Sequence, residues 1–301
     1  MFPIIPANSA TGTSANDEGL FGYGETITNV TNKVSNAGVV SSDVTGVGTA
    51  RSYLGGCEYG GDKAIFGYGN DGSKASMTNL VTNAGVVGTD VTGVGTGRNG
   101  LPAATYGGDK GIFAFGQVSG GVTAVSNLVT NAGVVGTDVT GVGTARGGLG
   151  ACEYGQDKAI FAYGYSAGGG YFSLSNLVSN AGVVATDVTG VGTAMQETCA
   201  CAYGDPYYDK GIFGYAGGPG LLNQTNKVAN TGVVQATTTG VGTARGGVSA
   251  TQYGQDKAIF AYGRTGGVVN MSNLVTNAGV VGTDVTGVGT ARRYAAGVSF
   301  N

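Results

Sequence analysis

Few side chains in this sequence of 301 residues could carry out chemistry, and most of them recur at regular intervals. The chain contains no His, which excludes Ser-His and Cys-His catalysis and removes the commonest metal ligand. The phrase Gly-Val-Gly-Thr-Ala-Arg, or a near copy of it, ends in an arginine at Arg51, Arg98, Arg146, Arg245 and Arg292. Five arginines could form an anion site. A residue repeated within one phrase instead favours a structural role, in which each arginine donates hydrogen bonds to carbonyl oxygens.

The acidic residues follow the same repeat and do not cluster. Asp-Lys pairs such as Asp62-Lys63 recur in turns, where a carboxylate commonly bonds the backbone of its own turn. Calcium would need several oxygen ligands close together, and a glycan-hydrolysing enzyme would need two carboxyl groups beside its ligand. Asp71 is the only acidic residue in the long variable loops described below. We therefore predict no catalytic residue, no metal and no cofactor, and a protein that is not an enzyme.

The composition excludes further classes of protein. Gly accounts for 61 residues, 41% of the residues are hydrophobic, 11% are charged and the formal net charge is −3. Apolar content of this size with so little charge is the opposite of the signature of disorder. The 15 scattered Lys and Arg residues cannot form the basic patch of a nucleic-acid-binding protein. Since no apolar run is long enough for a transmembrane helix, we expect no membrane insertion.

The repeat itself predicts the fold. Each unit of about 40–50 residues contains four segments typical of short strands. In the second unit these segments are Tyr53–Tyr59, Lys63–Tyr68, Ser76–Asn83 and Val86–Thr92. The first segment carries small residues at two successive positions in all six units, as expected of strands that crowd around an axis. The sequence therefore predicts an all-β, six-bladed β-propeller with four-stranded blades.

The two ends of the sequence are predicted to close the ring. The N-terminal unit lacks a first strand, and the C-terminal segment supplies only a first strand, so together they would complete one blade. Residues 1–16 lie outside the repeat and are predicted to form an extended arm, and residues 17–301 the propeller. The predicted blades are 17–47 with 293–301, 51–95, 98–143, 146–192, 195–242 and 245–289.

The order of these features resembles the kelch repeat. From Arg146 to Gly164, an arginine is followed by a small-residue strand, a turn and an aromatic strand ending in Gly, with Ala-Tyr-Gly in place of the kelch glycine doublet. The sequence departs from kelch in lacking its Trp and in carrying Thr-Asn-Ala-Gly where an aromatic-Asp-Pro turn is usual. The kelch resemblance implies a propeller closed by its C-terminal strand.

Three phrases also resemble repeats in virion and tail-associated proteins of tailed bacteriophages. They are Asp-Lys-Ala-Ile-Phe-Gly-Tyr-Gly, Asn-Ala-Gly-Val-Val and Gly-Val-Gly-Thr-Ala-Arg. This resemblance implies a virion component that is assembled in the host cytoplasm and contacts other virion proteins. A soluble kelch-type protein would instead be cytoplasmic.

The loops between the second and third strands differ among the units. Variable loops on a regular scaffold usually carry binding specificity, and these are rich in Gly, Ser and Tyr. The candidate ligand-binding residues are Tyr165, Tyr171, Phe172, Asn70, Asp71 and Arg264. The three aromatic side chains could stack on the sugar rings of a host-surface glycan. The alternative is that these loops are divergent surface without a ligand.

Two segments are predicted to dock other virion proteins. In the fifth unit, Met195 replaces the repeated arginine, Thr237 replaces a repeated aspartate, and one turn is longer than in the other units. In the arm, apolar residues alternate with prolines, which favours an extended segment. The docking candidates are Phe2, Ile4, Ile5, Pro206, Tyr207 and Tyr208. Neutral drift of the fifth unit and a disordered terminus are the alternatives.

Together these features predict a non-enzymatic binding or structural propeller, associated with the tail or fibre of a tailed-phage virion. It would recognise a host-surface glycan or protein, or decorate the particle. A soluble kelch-type interaction scaffold and a glycan-processing enzyme are the alternative functions.

Overall fold

The computed structural model describes residues 16–205 and 207–301, which form an all-β structure without helices. The strands form six antiparallel sheets of three strands each, together with one two-stranded hairpin. Each sheet has a first strand that follows the repeated arginine, or Met195 in the fifth unit, then an aromatic-rich middle strand and a third strand that ends near the Asn-rich turn. The sequence repeat therefore corresponds to one sheet per unit.

The strand bounds repeat closely from sheet to sheet. The first strands are Gly55–Tyr59 (β3), Ala103–Tyr106 (β6), Gly150–Tyr154 (β11), Cys199–Tyr203 (β14), Ser249–Tyr253 (β17) and Ala296–Phe300 (β20). The middle strands are Glu18–Gly24 (β1), Lys63–Asn70 (β4), Lys110–Ala114 (β7), Lys158–Ala162 (β12), Lys210–Ala216 (β15) and Lys257–Ala261 (β18). The third strands are Thr28–Val34 (β2), Lys74–Val81 (β5), Ser126–Val129 (β10), Ser175–Val178 (β13), Leu222–Val228 (β16) and Ser272–Val275 (β19). The hairpin consists of Gln117–Val118 (β8) and Gly121–Val122 (β9).

The fourth segment of each unit is not a strand, which corrects the prediction of four-stranded sheets. In the second unit, residues Val86–Thr92 pair with β5 only at two isolated positions. Between these positions the side chain of Asn79 fills the gap, because its Nδ2 donates to Gly88 O at 3.0 Å and to Asp90 Oδ1 at 2.9 Å. A side-chain amide thus replaces ladder hydrogen bonds, and the segment follows β5 without joining the sheet.

The two ends of the described chain meet in one sheet. Strand β20 pairs antiparallel with β1, so that Ala296 lies opposite Gly22 and Phe300 opposite Glu18. The first strands contact one another in the closed order β3, β6, β11, β14, β17, β20 and back to β3. Backbone amides also donate to Asp carbonyls of the next unit, at 2.8–3.1 Å, in the pairs Gly60–Asp109, Gly107–Asp157, Gly155–Asp209, Gly204–Asp256, Gly254–Asp17 and Asn301–Asp62.

Apolar side chains fill the space between neighbouring sheets. In the middle strand β4, only the two end residues are partly exposed. Because both faces of each sheet are covered, the middle strands are continuously apolar rather than alternating with polar residues. One aromatic pair joins each two neighbouring sheets, with ring centroids 5.1–5.5 Å apart in edge or tilted geometry. These pairs are Phe21–Tyr262, Tyr23–Phe66, Tyr68–Phe113, Phe115–Phe161, Tyr163–Phe213 and Tyr215–Phe260.

The five repeated arginines are fully buried between sheets. Arg51 donates through Nη2 to Asn79 Oδ1 at 2.7 Å and through Nε to Tyr68 O at 2.9 Å. Its guanidinium lies 4.7 Å from the centre of the Tyr23 ring and its Nη1 lies 3.5 Å from Asp90 Oδ1. These contacts make the arginine a structural residue, with its charge directed into the protein and away from any ligand.

The aspartate of this network also reaches the preceding unit. Thr49 donates to Asp90 through its backbone amide at 3.0 Å and its hydroxyl at 2.6 Å. We call the interface between two neighbouring sheets a seam. Every seam except the one at the fifth unit has the same bond, in the pairs Thr96–Asp138, Thr144–Asp187, Thr243–Asp284 and Thr290–Asp43. There Met195 and Thr237 replace the two charged partners, and Asn226 Nδ2 donates to Thr237 Oγ1 at 3.1 Å. Both charges are therefore missing from the same seam.

Candidate functional site

Residues from all six first strands line one channel. Halfway along it, the backbone and small side chains of Gly56, Ala103, Ala151, Ala200, Ala250 and Gly297 leave a volume of only about 40 Å³. At the N-terminal ends of the first strands the channel widens into a pocket of about 280 Å³, which we call the upper mouth. At their C-terminal ends it widens into a second pocket of about 450 Å³, the lower mouth.

One backbone position of the upper mouth has an unusual choice of residues. It lies two residues after the repeated arginine, and its backbone is left-handed in all six units. Gly100, Gly148 and Gly247 occupy it in three units with φ of 58°, 65° and 63°, a conformation that glycine adopts without strain. The other three units carry Tyr53, Glu197 and Tyr294 with φ of 57°, 53° and 53°.

The non-glycine residues at these three positions impose backbone strain, which the three units with glycine avoid. A non-glycine residue in this conformation costs on the order of 1 kcal/mol or more. Other left-handed aromatic residues, such as Tyr68 and Tyr163, lie at one position of every sheet and are fully buried in the core. By contrast, Tyr53, Glu197 and Tyr294 all line the upper mouth. Gln156, Tyr207 and Tyr208 at the lower mouth are left-handed as well, so both ends of the channel store backbone strain, a feature that recurs at functional sites.

The three strained residues form one polar network at the rim. The rings of Tyr53 and Tyr294 are stacked with their centroids 3.8 Å apart. The Glu197 carboxylate lies close enough to Tyr294 to raise the pKa of its phenol, and it accepts from Arg264 Nη2 at 3.1 Å. On the same rim, Arg293 is ion-paired with Glu25. The charged groups of the rim are therefore paired with one another.

The phenols of the upper mouth stay protonated. Burial raises the pKa of Tyr294 above its usual range, and the nearby Glu197 carboxylate acts in the same direction. Burial also raises the pKa of Tyr53 and of Tyr165, which lines the same pocket. At neutral pH these hydroxyls are therefore donors and acceptors for a ligand, and none of them is a phenolate nucleophile.

Below the rim lies a ring of mostly aliphatic side chains. The position three residues after the repeated arginine holds Leu54, Leu101, Leu149, Thr198, Val248 and Ala295, all of which line the pocket. Thr198 is the one polar member of this ring. It is 5% exposed and its hydroxyl has no hydrogen-bond partner. Several other buried side-chain atoms of the described residues, such as Asn32 Oδ1 and Asn99 Oδ1, also lack a partner, so this feature is not specific to the pocket.

The structure brings two of the six predicted ligand-binding residues to the upper mouth. Tyr165 lines it, and Arg264 holds Glu197. Tyr171 and Phe172 follow in the same loop but do not line this pocket. Asn70 ends strand β4, and the Asp71 carboxylate accepts from the amide and hydroxyl of Ser73, both at 2.9 Å, within its own turn. These four residues lie outside the pocket.

The residues that sequence reasoning missed are Tyr53, Glu197 and Tyr294. The sequence predicts a strand that begins at Tyr53, whereas β3 begins at Gly55. A signal was nevertheless present, since alignment of the six units places these three residues opposite Gly100, Gly148 and Gly247. A large side chain at a position where other repeats have Gly indicates a local requirement.

The strain at the rim gives a testable expectation. Glu197→Gly should raise the free energy of unfolding by about 1 kcal/mol, because strain relief exceeds the value of the partly exposed ion pair with Arg264. Gly100→Ala is the matched control. The added Cβ would meet nothing closer than 3.7 Å, so this variant measures the conformational cost alone and should lose about 1 kcal/mol. Urea denaturation of both variants checks this, and a neutral Gly100→Ala would contradict the strain.

Two carboxyl groups lie deeper in the channel, facing the lower mouth. Glu58 on β3 accepts from the amide and hydroxyl of Ser299, both at 2.9 Å, and from the Thr105 hydroxyl. Glu153 on β11 accepts from Gln252 Nε2 at 3.1 Å. Burial, together with the charge of Glu58, raises the pKa of Glu153 well above its usual range. Sequence reasoning missed both residues because they lie on the first strands of different units and meet only where these strands converge.

The raised pKa of Glu153 predicts a pH-dependent stability. The folded protein binds this proton more tightly than the unfolded chain, whose glutamates titrate near pH ~4.3. The stabilisation is therefore complete below that pH and is lost as the pH rises through the folded pKa. Glu153→Gln keeps the acceptor for Gln252 without the charge, so it should stabilise the protein at pH 8 by about 1–3 kcal/mol and flatten the pH profile. Thermal denaturation from pH 4 to pH 8 tests this, and an unchanged slope would contradict it.

The lower mouth also holds part of the extended turn of the fifth unit. Tyr208 is 4% exposed and its hydroxyl donates to the carbonyl oxygen of Asn16 at 2.5 Å, whereas Tyr207 is 47% exposed. Of these two docking candidates, Tyr207 is thus the one at the surface. The remaining candidates, Phe2, Ile4, Ile5 and Pro206, lie outside the described residues.

Comparison of the chain with known protein families and with curated proteins gave no match. Within residues 16–205 and 207–301, no helix is long and apolar enough to span a membrane. The same residues contain no group of three or more His, Cys, Asp or Glu side chains placed to hold a metal ion.

Proposed function

We propose that the six sheets are the blades of a kelch-like six-bladed β-propeller, and that the protein is a non-enzymatic binding module of a tailed-phage virion. It recognises a host-surface glycan or protein through the upper mouth and the loops around it. The observation that carries the binding role is the convergence of Tyr53, Glu197 and Tyr294 on one pocket, each in a strained conformation.

The propeller interpretation is supported by the closed order of contacts. Each first strand contacts the first strands of two other sheets, and the series returns to its start through β20. The six aromatic pairs follow the same closed order. Small residues at the narrowest part of the channel agree with strands that converge on an axis. A closed ring would also direct the unpaired edge of each first strand into the channel, away from other chains.

Binding is favoured over glycan hydrolysis by the state of the candidate catalytic groups. Glu197 is neutralised by Arg264, and the pKa of Tyr294 is raised rather than lowered. Glu58 and Glu153 line the narrow part of the channel, whose volume of about 40 Å³ cannot hold a sugar ring, and they face the lower mouth rather than the upper one. A glycosidase needs its two carboxyl groups on either side of the scissile bond.

The virion assignment rests on the resemblance of the repeats to those of phage virion and tail-associated proteins. Mass spectrometry of purified particles, with antibody labelling of those that contain this chain, tests it directly. Labelling at tail or fibre tips is the expected result. Labelling along the capsid or tail shaft would favour decoration of the particle, and absence from all particles would favour the soluble kelch-type scaffold.

The binding role has its own test. The fluorescently labelled full chain should bind host cells, and the double variant Tyr53→Gly/Tyr294→Gly should bind at least about tenfold more weakly. Tyr171→Ala is the control, because this aromatic residue lies in a predicted loop but outside the pocket. Equal binding by the double variant and the wild type would remove the upper mouth as the recognition site.

A further inference from the structure

We infer that residues 196–198 form a gate in the wall of the upper mouth, held closed by the ion pair between Glu197 and Arg264. All three residues of the gate line the pocket, so moving them away from the channel would widen it. The inference rests on the proposed binding function for the purpose of the gate. The movement itself is a property of the free protein and can be measured without a ligand.

The gate lacks the anchor that precedes the same position in the other units. There a fully buried arginine lies two residues before the rim position, as Arg51 lies before Tyr53. In the fifth unit Met195 takes this place, and its sulfur accepts one long hydrogen bond, from Gln224 Nε2 at 3.9 Å. Asn226 Oδ1, the counterpart of the oxygen that accepts from Arg51, is buried without a partner in the described part of the chain. The gate therefore follows a side chain that packs but is not tied by charge.

The gate also lies outside a series of backbone hydrogen bonds around the rim. These bonds, of 2.8–3.0 Å, join neighbouring rim positions from amide to carbonyl oxygen, in the pairs Tyr294–Gly247, Tyr53–Tyr294, Gly100–Tyr53 and Gly148–Gly100. The series stops on both sides of Glu197. Within the described residues, neither the backbone amide nor the carbonyl oxygen of Glu197 has a hydrogen-bond partner. The gate is therefore not tied to the rim on either side.

The Glu197 side chain holds the gate by reaching into the sixth unit. Its carboxylate accepts from Arg264 Nη2 at 3.1 Å and lies close to two glycines, since a Cβ added at Gly217 or Gly246 would lie 2.7 or 2.8 Å from its Oε2. The other units carry larger residues at the position of Gly217, namely Glu25, Asn70, Gln117, Tyr165 and Arg264. Glycine at this position of the fifth unit leaves room for the carboxylate, so the closed arrangement has its own space.

Few interactions hold the closed gate against its strain. The ion pair is partly exposed, at 15% for Glu197 and 33% for Arg264, and such pairs contribute little stability. Glu197 has a φ of 53°, and leaving this left-handed conformation recovers a comparable free energy. The gate is otherwise held by two backbone hydrogen bonds between Gln196 and Gly217, of 3.1 and 2.9 Å. Segments with so few ties open locally at a low cost in free energy.

Hydrogen exchange of the free full chain, followed by NMR, tests the gate. The amides of Gln196 and Gly217 should show protection factors at least about tenfold lower than those of Ser52 and Asn70. Ser52 and Asn70 are the matched control, because their amides form the same pair of backbone bonds, at 3.0 and 2.8 Å, in the second unit. The rim residue of that unit, Tyr53, is equally strained but keeps both the buried arginine and the series of rim bonds. The comparison therefore isolates the missing ties.

The role of the ion pair has a separate variant. Arg264→Gln should lower the protection of the Gln196 and Gly217 amides by a further factor of about two to five, because it removes the contact that holds the gate closed. High salt should lower the same protection in the wild type and have little effect in Arg264→Gln. Arg293→Gln is the control, since it breaks the other ion pair of the rim, with Glu25, and should leave these two amides unchanged.

The outcomes separate failure of this inference from failure of the proposed function. Equal protection of the Gln196–Gly217 and Ser52–Asn70 amides would overturn the gate and leave the binding role of Tyr53 and Tyr294 intact. A loss of protection in Arg264→Gln no larger than in Arg293→Gln would overturn the role of the ion pair. Absence of host-cell binding would overturn the proposed function, whereas faster exchange at Gln196 and Gly217 would still support the movement.

Discussion

Asp90→Thr should lower the free energy of unfolding by about 3 kcal/mol, and the further change Arg51→Met should return part of that loss. Arg51 is fully buried, and its Nη1 lies 3.5 Å from Asp90. Asp90 is 33% exposed, so the difference from the Asp62–Lys63 pair lies in the arginine, which is fully buried. Removing only the aspartate leaves this buried positive charge without its counter-charge, and breaking a fully buried ion pair costs about 3–5 kcal/mol. Arg51 keeps its bonds to Asn79 and Tyr68, which places the expected loss at the lower end of that range.

The fifth unit shows why the double variant should recover stability. There Met195 and Thr237 stand where the other units have Arg and Asp, and the seam contains neither charge. The coupling between the two changes in the second unit should therefore be about 1–3 kcal/mol in a double-mutant cycle. The reverse experiment is equally informative. Met195→Arg alone should destabilise the protein, and Met195→Arg with Thr237→Asp should be less destabilised.

The control for this cycle is Asp62→Thr. Asp62 is also ion-paired, with Lys63, but both side chains are well exposed, at 37% and 42%. Exposed pairs contribute about 0–1 kcal/mol, so this variant should remain close to the wild type. Urea denaturation of the full set measures all of these values. If Asp90→Thr cost no more than Asp62→Thr, or if the changes at Arg51 and Asp90 were additive, the buried charge pair would not be what stabilises the seam.

The sequence predicted the sheets well because the repeat is local and regular. The predicted segment Lys63–Tyr68 corresponds to strand Lys63–Asn70, and Ser76–Asn83 to Lys74–Val81. The fourth segment could not be predicted in the same way. Its β-branched residues favour a strand, but the Asn79 side chain occupies its ladder positions, and that contact is set by the packing of the Arg51 network.

The candidate site was only partly predictable. Loop variability led to Tyr165 and Arg264, which the structure places at or next to the upper mouth. The same criterion also led to Asp71, whose carboxylate only closes its own turn. Tyr53 and Tyr294 are far apart in the sequence but lie in neighbouring sheets. Their stacking therefore depends on the closed order of the sheets. A pattern within one unit cannot show which side chains of different units converge on the channel.

Removal of residues 294–301 should prevent cooperative folding at 37 °C, because it deletes strand β20, which pairs with β1 on its channel side. Their loss would expose the edge of β1 and remove Phe300, whose side chain is fully buried. The Phe300→Ala variant alone should cost about 3–5 kcal/mol, a large part of the stability of a typical domain. The truncated chain would lose in addition the backbone bond from Asn301 to Asp62 and the bonds from Ser299 to Glu58.

A synthetic peptide of residues 294–301 provides the rescue experiment. Because β20 is held by backbone pairing and side-chain burial rather than by a chain connection to β1, the peptide should restore folding of the truncated chain when added in trans. A scrambled peptide of the same composition should not, since it would not place an aromatic residue at the position of Phe300. Circular dichroism and thermal denaturation report the outcome. A truncated chain that melts at the temperature of the wild type would show that the closed order of sheets does not depend on this strand.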